Sequence, residues 1–405
     1  MNGSNPVAAR PTILCAAFSA RQIAESARLS GFDALAVDFF ADHDLTAASR
    51  KAALLASHFP DGFSDADLLA ALDGLAEGEA PVGFVYGAGF EDRPALLRQI
   101  CERWPLLGTD AASSAKLKDP DAFALLCREA GVAHPQIAGE RGERPGDGRW
   151  VSKQVGGCGG SHVRWAGEGS PEPANDAARR YVQRFVEGER WSLAFLGCKG
   201  AIAIIGFSRQ WADPGLDEPF RYGGAVGPID PPERVREAIE RGVADLVRTA
   251  FENGVHVTGL ASADFVVTRT QAVCLELNAR FGATVDVFDS ARAPLFAAHL
   301  AACRGALPDG PWPRAGRVRA AGLAWASGGF DLGEDFAWPH WCRDRSSLPR
   351  SYEAGEPIAT VCADADTEGE AAALFFERAA MLNDPDARGR LTEQLPDQRT
   401  ASAKK

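Results

Sequence analysis

Residues 12–18 (TILCAAF) are a short apolar run and residues 34–40 (ALAVDFF) a second, separated by a segment in which Ile23, Ala24 and Ala27 share one helical face before Gly31 stops it. This strand–helix–strand pattern limits the fold more than any other feature of the chain. Uniformly apolar strands belong in a parallel sheet covered on both faces. Parallel neighbours need a right-handed crossover, which leaves the ligand edge at the strand C-termini. Ser19 is expected to cap the crossover helix. A further strand over 81–86 runs into Gly87-Ala88-Gly89-Phe90-Glu91, and this α/β region closes near Gly108.

Asp119 and Pro120 mark a helix start, as N-cap and first-turn proline, for a helix over 121–130. Beyond it the pattern changes to hairpins. Strands are expected over 150–154, 164–167, 181–186, 191–196, 201–207, 263–268 and 272–278, with one long helix over 232–253. Residues 141–149 read as a polar surface loop. Strands over 318–326 and 357–363 and a helix over 368–381 follow the Pro/Gly-rich stretch 307–317. The expected organisation is a parallel-sheet α/β domain over 1–110, a central α+β domain in two subdomains over 111–305, a small β-rich C-terminal domain over 306–385, and a disordered tail over 386–405.

Forty-three Lys and Arg against 55 Asp and Glu give a net charge of -12, which argues against binding duplex nucleic acid or an anionic membrane surface. No run of 18 apolar residues offers a membrane span. The nine cysteines stand singly, none at C-x-x-C spacing, and no signal-peptide pattern precedes them. A reducing cytoplasm is the expected setting.

Lys153 precedes the glycine-rich run 155–161 (VGGCGGS). Glycines let backbone N–H groups surround an anion, and a nearby lysine supplies a point charge for phosphate. The continuation looks like a returning strand, so the run is a hairpin tip and fits neither the P-loop nor the dinucleotide fingerprint. In residues 275–280 (LELNAR), alternation puts Glu276 and Asn278 on one face, with Leu275 and Leu277 on a buried opposite face. Asp264 opens a strand able to pair with this one. Two carboxylates and an amide oxygen are hard donors suited to Mg²⁺ at nucleotide phosphates, and Arg280 on the same side suits a phosphate.

Taken in order, these motifs resemble the ATP-grasp superfamily, in particular its carboxylate–amine ligases and carboxylases with a leading α/β domain, and the resemblance spans nearly the whole chain. It implies ATP with Mg²⁺ (or Mn²⁺) as cofactors and Asp264, Glu276 and Asn278 as metal ligands. It makes Lys116 or Lys118 the first nucleotide lysine and Lys153 the second. Gly156, Gly157, Gly159, Gly160 and Ser161 become the phosphate loop, and Gln183, Arg184, Phe185 and Val186 the adenine linker. Many members carry a ribose-binding Glu where this chain has Arg190, so Glu187 or Glu189 takes that part. Lys153, Arg280 and Arg209 are the implied catalytic cations. Glu91, Arg209 and Arg221 are the implied substrate contacts, and His162 is a further candidate for phosphate.

The implied reaction is ligation of a small carboxylate to an amine through an acyl-phosphate. The segments 19–21, 37–42 and 209–211 resemble a subgroup from methylotrophic bacteria associated with C1-carrier cofactors (methylofuran and tetrahydromethanopterin), which implies glutamate joined to an aromatic amine such as tyramine. A homo-oligomer is compatible with this reading. Two alternatives accompany it: a carboxylase activating bicarbonate, although this chain has only two Met and no biotinyl Met-Lys-Met segment, and a non-catalytic nucleotide-binding subunit.

Overall fold

A computed structural model describes residues 9–57, 62–139, 148–167, 179–215, 218–314 and 316–393. The N-terminal region is β1 (Thr12–Ala16), α1 (Arg21–Leu29), β2 (Asp33–Asp38), α2 (His43–Ala48), β3 (Ser49–Leu54), α3 (Asp65–Ala76), β4 (Phe84–Tyr86) and α4 (Pro94–Cys101). Its four strands form a parallel sheet in the order β3-β2-β1-β4. β1 is buried at every position, as its uninterrupted apolar sequence requires. Ile23, Ala24 and Ala27 of α1 pack on one face of this sheet. Ser19 does not cap α1, whose N-cap is Ala20 without a side-chain bond. Its hydroxyl donates instead to Asp344, 325 residues away.

Two helices follow, α5 (Ala111–Lys118) and α6 (Pro120–Glu129). Asp119 caps α6 by accepting from the amides of Asp121 and Ala122, but α5 was not expected, because the run AASSAKLK shows no apolar stripe. A four-stranded sheet is built from β5 (Ile137–Gly139), β6 (Trp150–Gln154), β7 (Arg164–Trp165) and β8 (Arg180–Arg184), in the order β5-β8-β6-β7. β6 and β7 are antiparallel, so the glycine-rich run is a hairpin tip. Most of the loop expected over 141–149 lies outside the described residues.

The central sheet contains β9 (Glu189–Cys198), β10 (Ala201–Ala212), β11 (Tyr222–Ile229), β12 (Gly259–Val267) and β13 (Ala272–Asn278). α7 (Glu233–Glu252) covers one face, burying Ile239, Val243, Leu246, Val247 and Ala250 against β9, β12 and β13. α8 (Val285–Phe288) and α9 (Leu295–Cys303) join the other face to the N-terminal region.

The C-terminal region adds β14 (Val318–Trp325), β15 (Phe330–Leu332), β16 (Cys342–Arg343), β17 (Arg350–Tyr352), β18 (Pro357–Ala365), α10 (Glu368–Asn383) and α11 (Pro385–Glu393). β14, β18 and β16 extend the central sheet, which runs β13-β12-β9-β10-β11-β14-β18-β16. The boundary expected at 306 is therefore no break in the sheet. Nor is residue 386 the start of a tail, since it lies in α11. Among the described residues no helix is long and apolar enough to cross a membrane.

Candidate functional site

Antiparallel pairing of β12 and β13 sets Asp264 opposite Glu276 and Ser262 opposite Asn278. The Asn278 side-chain amide donates to Asp264 Oδ2 at 3.1 Å and to Glu276 Oε1 at 3.2 Å. Its Oδ1 accepts from Lys118 Nζ at 2.5 Å, and the same ammonium lies 3.5 Å from Glu276 Oε2. Gln210 completes the group by donating to Asp264 Oδ1 at 3.2 Å. A bulge makes Phe265 pair with Cys274, so Leu275 is the extra residue. The expectation that Leu275 shares the buried face of Leu277 is thus corrected: Leu277 is in the core, whereas Leu275 is half-buried and lines the cleft.

That cleft, about 400 Å³, lies between the four-stranded sheet and the central one. Lys118, Lys153, Asp119 and Glu276 supply its charges, Gly156 and Gly157 its loop, and Leu117, Phe123 and Leu275 apolar wall. Of the two candidate lysines on α5, Lys118 meets Glu276 and Asn278, and Lys116 is exposed. Lys153 is 9% exposed and points across β6 and β8, 3.5 Å from Gln183 Oε1 and over the Tyr181 ring at 5.9 Å. Burial works against its charge, but Tyr181 and the carboxylates Glu276 and Asp264 hold its pKa above the ordinary lysine value. Burial raises Glu276 too, yet the ammoniums of Lys118 and Lys153 outweigh it and hold that carboxyl well below the usual range. Asp264 is displaced upward, by burial and by the neighbouring Glu276 charge.

Arg280 and Glu91 form a buried pair, Nε to Oε1 2.7 Å, and the other Glu91 oxygen accepts from the Gly89 amide at 2.7 Å. Burial alone would raise the Glu91 pKa, but Arg280 and Lys118 lower it. Glu91 is therefore brought to the site from the C-terminal edge of the first sheet, bound to Arg280.

The glycine loop is folded down. Gly160 has φ +78°, and a Cβ there would stand 2.0 Å from the Phe220 carbonyl oxygen, so only glycine fits. Tyr222 N–H donates to Gly159 O at 2.8 Å. Ser161 is half-buried beside the loop. His162, within hydrogen-bonding distance of Cys158 O through Nδ1, is pushed down to about 4 by burial and the Lys153 charge, and is neutral at pH 7. In the linker Gln183 is buried, Arg184 exposed, and Phe185 and Val186 half-buried. The Phe185 ring packs on Trp165 at 4.9 Å. Glu189 is exposed and accepts from Trp191 Nε1 at 3.2 Å.

Two of the expected substrate contacts have protein partners of their own. Gln210 faces Asp264, so alternation along β10 turns Arg209 to the opposite face. There it lies over the Trp191 ring at 5.2 Å and pairs with Glu368 at 3.1 Å. Arg221 is 5% exposed, stacked on Trp325 at 4.1 Å, and its Nε donates to Asp213 O at 2.9 Å. Arg209 also lies 3.9 Å from Glu189, whereas Arg221 is enclosed. Conversely, Phe123, His134, Tyr181 and Gln210 also meet at this site and were not expected there. Only Tyr181 carried a signal, being two residues from Gln183 on one strand.

The donor set Asp264, Glu276 and the Asn278 amide oxygen is two carboxylates and one neutral oxygen. Among the described residues no three His, Cys, Asp or Glu side chains form a metal cage. Such a sparse, all-oxygen set suits a Mg²⁺ ion that takes its remaining ligands from phosphate and water.

Residues 122–284 match the ATP-grasp domain family. Among curated proteins no sequence relative matches. Three of the solved structures that share the fold follow. An L-amino acid ligase from Bacillus licheniformis is 15% identical, with TM-score 0.64 over 91% of this chain and 97% of that one. The biotin carboxylase domain of the Hydrogenobacter thermophilus 2-oxoglutarate carboxylase, a dimer with MgADP and bicarbonate, is 14% identical, with TM-score 0.67 over 91% and 89%. N5-carboxyaminoimidazole synthetase from Staphylococcus aureus, complexed with ADP, is 12% identical, with TM-score 0.63 over 91% and 97%.

Proposed function

Residues 122–284 being an ATP-grasp domain, we propose that this protein is an ADP-forming ligase that joins a small carboxylic acid to an amine. The observation that carries this reading is the convergence of Asp264, Glu276, Asn278, Lys118 and Lys153 at one cleft under a closed glycine loop. Asp264, Glu276 and the Asn278 oxygen would hold Mg²⁺, which supplies neutralising charge to the nucleotide phosphates when bound. Lys118 and Lys153 take phosphate oxygens. Leu275, Phe123 and the linker from Gln183 to Val186 enclose the base, and Glu189 is the candidate for the ribose.

The γ-phosphoryl group moves from ATP to an oxygen of the acid, forming an O–P bond to the carboxylate as the bond to the β-phosphate oxygen breaks and ADP leaves. The amine nitrogen then forms a C–N bond to the acyl carbon, the C–O bond to phosphate breaks, and phosphate and a proton leave. The closed loop, pinned at Gly159 and Gly160, keeps water from the acyl-phosphate.

Glutamate and an aromatic amine such as tyramine, in the synthesis of a C1-carrier cofactor, are the finer form of this reading, as are a homo-oligomer and a cytoplasmic setting. The test is ADP release with Mg-ATP across acids and amines, with and without bicarbonate. ADP that requires both an acid and an amine is the expected result. A requirement for bicarbonate would replace the ligase with a carboxylase, and nucleotide binding without ADP from any mixture would leave a binding subunit.

A further inference from the structure

A second cavity, of about 240 Å³, adjoins the metal-ligand set on the central sheet. Asn278 on β13 is directly opposite Ser262 on β12, Ser262 is opposite Ala194 on β9, and Ala194 is opposite Gly206 on β10. Directly opposed residues share a face, so this row leads away from Asn278 across the sheet. It ends under Phe288 of α8, whose ring would stand 2.8 Å from a Cβ on Gly206. The cavity lies along this row. Ala194, Leu260, Val285, Phe288 and Leu295 form its buried apolar floor, and the half-buried Ser262, Arg280, Gly282 and Thr284 form its open rim.

The groups at the rim decide what the cavity takes. A Cβ on Gly282 would stand 2.5 Å from Arg280 Nη1, so glycine makes room for the guanidinium there. Arg280 Nε donates to Glu91 and Nη1 to Phe281 O at 3.2 Å, and among the described residues Nη2 has no partner. One free guanidinium edge suits one carboxylate. The other cations around α8 are committed, Arg21 to Asp286, Asp344 and Glu25, and Arg319 to Asp364. A second carboxylate on the apolar floor would be desolvated without a counter-charge, whereas an aliphatic chain gains by burial there.

We propose that this cavity is the acid subsite, and that it takes a monocarboxylic acid with a short aliphatic chain. The carboxylate lies on Arg280 beside Asn278, and the chain lies on the floor between Ala194 and Phe288, where the ring limits its length. This rests on the ligase reading and narrows it, because such an acid is preferred to glutamate.

The test is calorimetric titration of acetate, propionate, butyrate and glutamate into protein saturated with a Mg complex of a non-hydrolysable ATP analogue. Affinity is expected to rise ~3–4-fold for each added CH₂, with glutamate ~10-fold or more weaker than butyrate. A series that does not rise with chain length, no binding of any aliphatic acid, or glutamate bound more tightly than butyrate overturns the proposal. Ala194→Leu fills the floor and is expected to flatten the series. A variant with the wild-type melting temperature and the wild-type series also overturns it, and the wild-type series decides the matter if the variant does not fold. Failure of the ligase reading shows separately, as no ADP release by the wild type from any acid and amine given Mg-ATP.

Discussion

Lys116 and Lys118 stand about 200° apart around α5, and that rotation decides which of them reaches Glu276 and Asn278. Lys118 Nζ bridges Asn278 and Glu276, and Lys116 is in solvent. Lys118→Met is expected to lower kcat/KM for ATP by ~100-fold or more, with Lys116→Met within ~2-fold of wild type; equal effects in steady-state ADP assays would contradict the assignment. Glu276→Ala and Lys153→Ala are expected to abolish ADP release while the melting temperature and circular dichroism stay near wild type. Full activity in either would remove the residue from the site. Glu276 and Asn278 were legible in the sequence because a strand's period of two places them on one face whatever surrounds it. The choice of lysine was not legible, because it depends on a helix without an apolar stripe.

The hairpin between β6 and β7 lies flat on the turn that precedes β11. Gly160→Ala sets a Cβ against the Phe220 carbonyl at a positive φ, so it should hold the loop open. The expected outcome is a raised KM for ATP and ADP release that no longer requires the amine, as water reaches the intermediate. Unaltered coupling of ADP to product would show that the loop closes without this contact. A second element is fixed by His299 of α9, whose Nδ1 accepts from Leu260 N–H at 2.8 Å while Nε2 lies 3.0 Å from Leu107 O. Burial pushes this imidazole down to about 4, against ~6.5 for an unfolded histidine. The unfolded chain then binds the extra proton, so this contribution is complete above pH ~6.5 and is lost as pH falls through about 4. Urea titrations at pH 4.5 and 7.5 should show the wild type losing more stability on acidification than His299→Gln. Equal losses would contradict it. Element types along the chain were readable from periodicity, but two features of the site were not. The bulge that turns Leu275 into the cleft leaves no mark in an alternating run, and the side of β10 that carries Arg209 follows from the Gln210–Asp264 bond.

Across the whole molecule, Arg21 joins regions that the sequence presents as separate. It is completely buried and binds Glu25 of its own helix, Asp286 of α8 and Asp344 of the C-terminal region, each at 2.9 Å or less. Short polar side chains distant in sequence meet there only because the chain is folded, which is why no local pattern announced the network or the shared eight-stranded sheet. Arg21→Met leaves three carboxylates facing one another and should destabilise the protein by ~3–5 kcal/mol, read as a lowered midpoint in urea; a loss below ~1 kcal/mol would mean that the regions are held together by apolar packing alone. The most direct test of the central claim uses an acid that supports ADP release, labelled with ¹⁸O in its carboxylate, followed by mass spectrometry of the products. Phosphoryl transfer to the acid predicts one ¹⁸O in the inorganic phosphate for each amide formed. Unlabelled phosphate would mean that no acyl-phosphate forms, and would contradict the reading of this cleft as a carboxylate–amine ligase site.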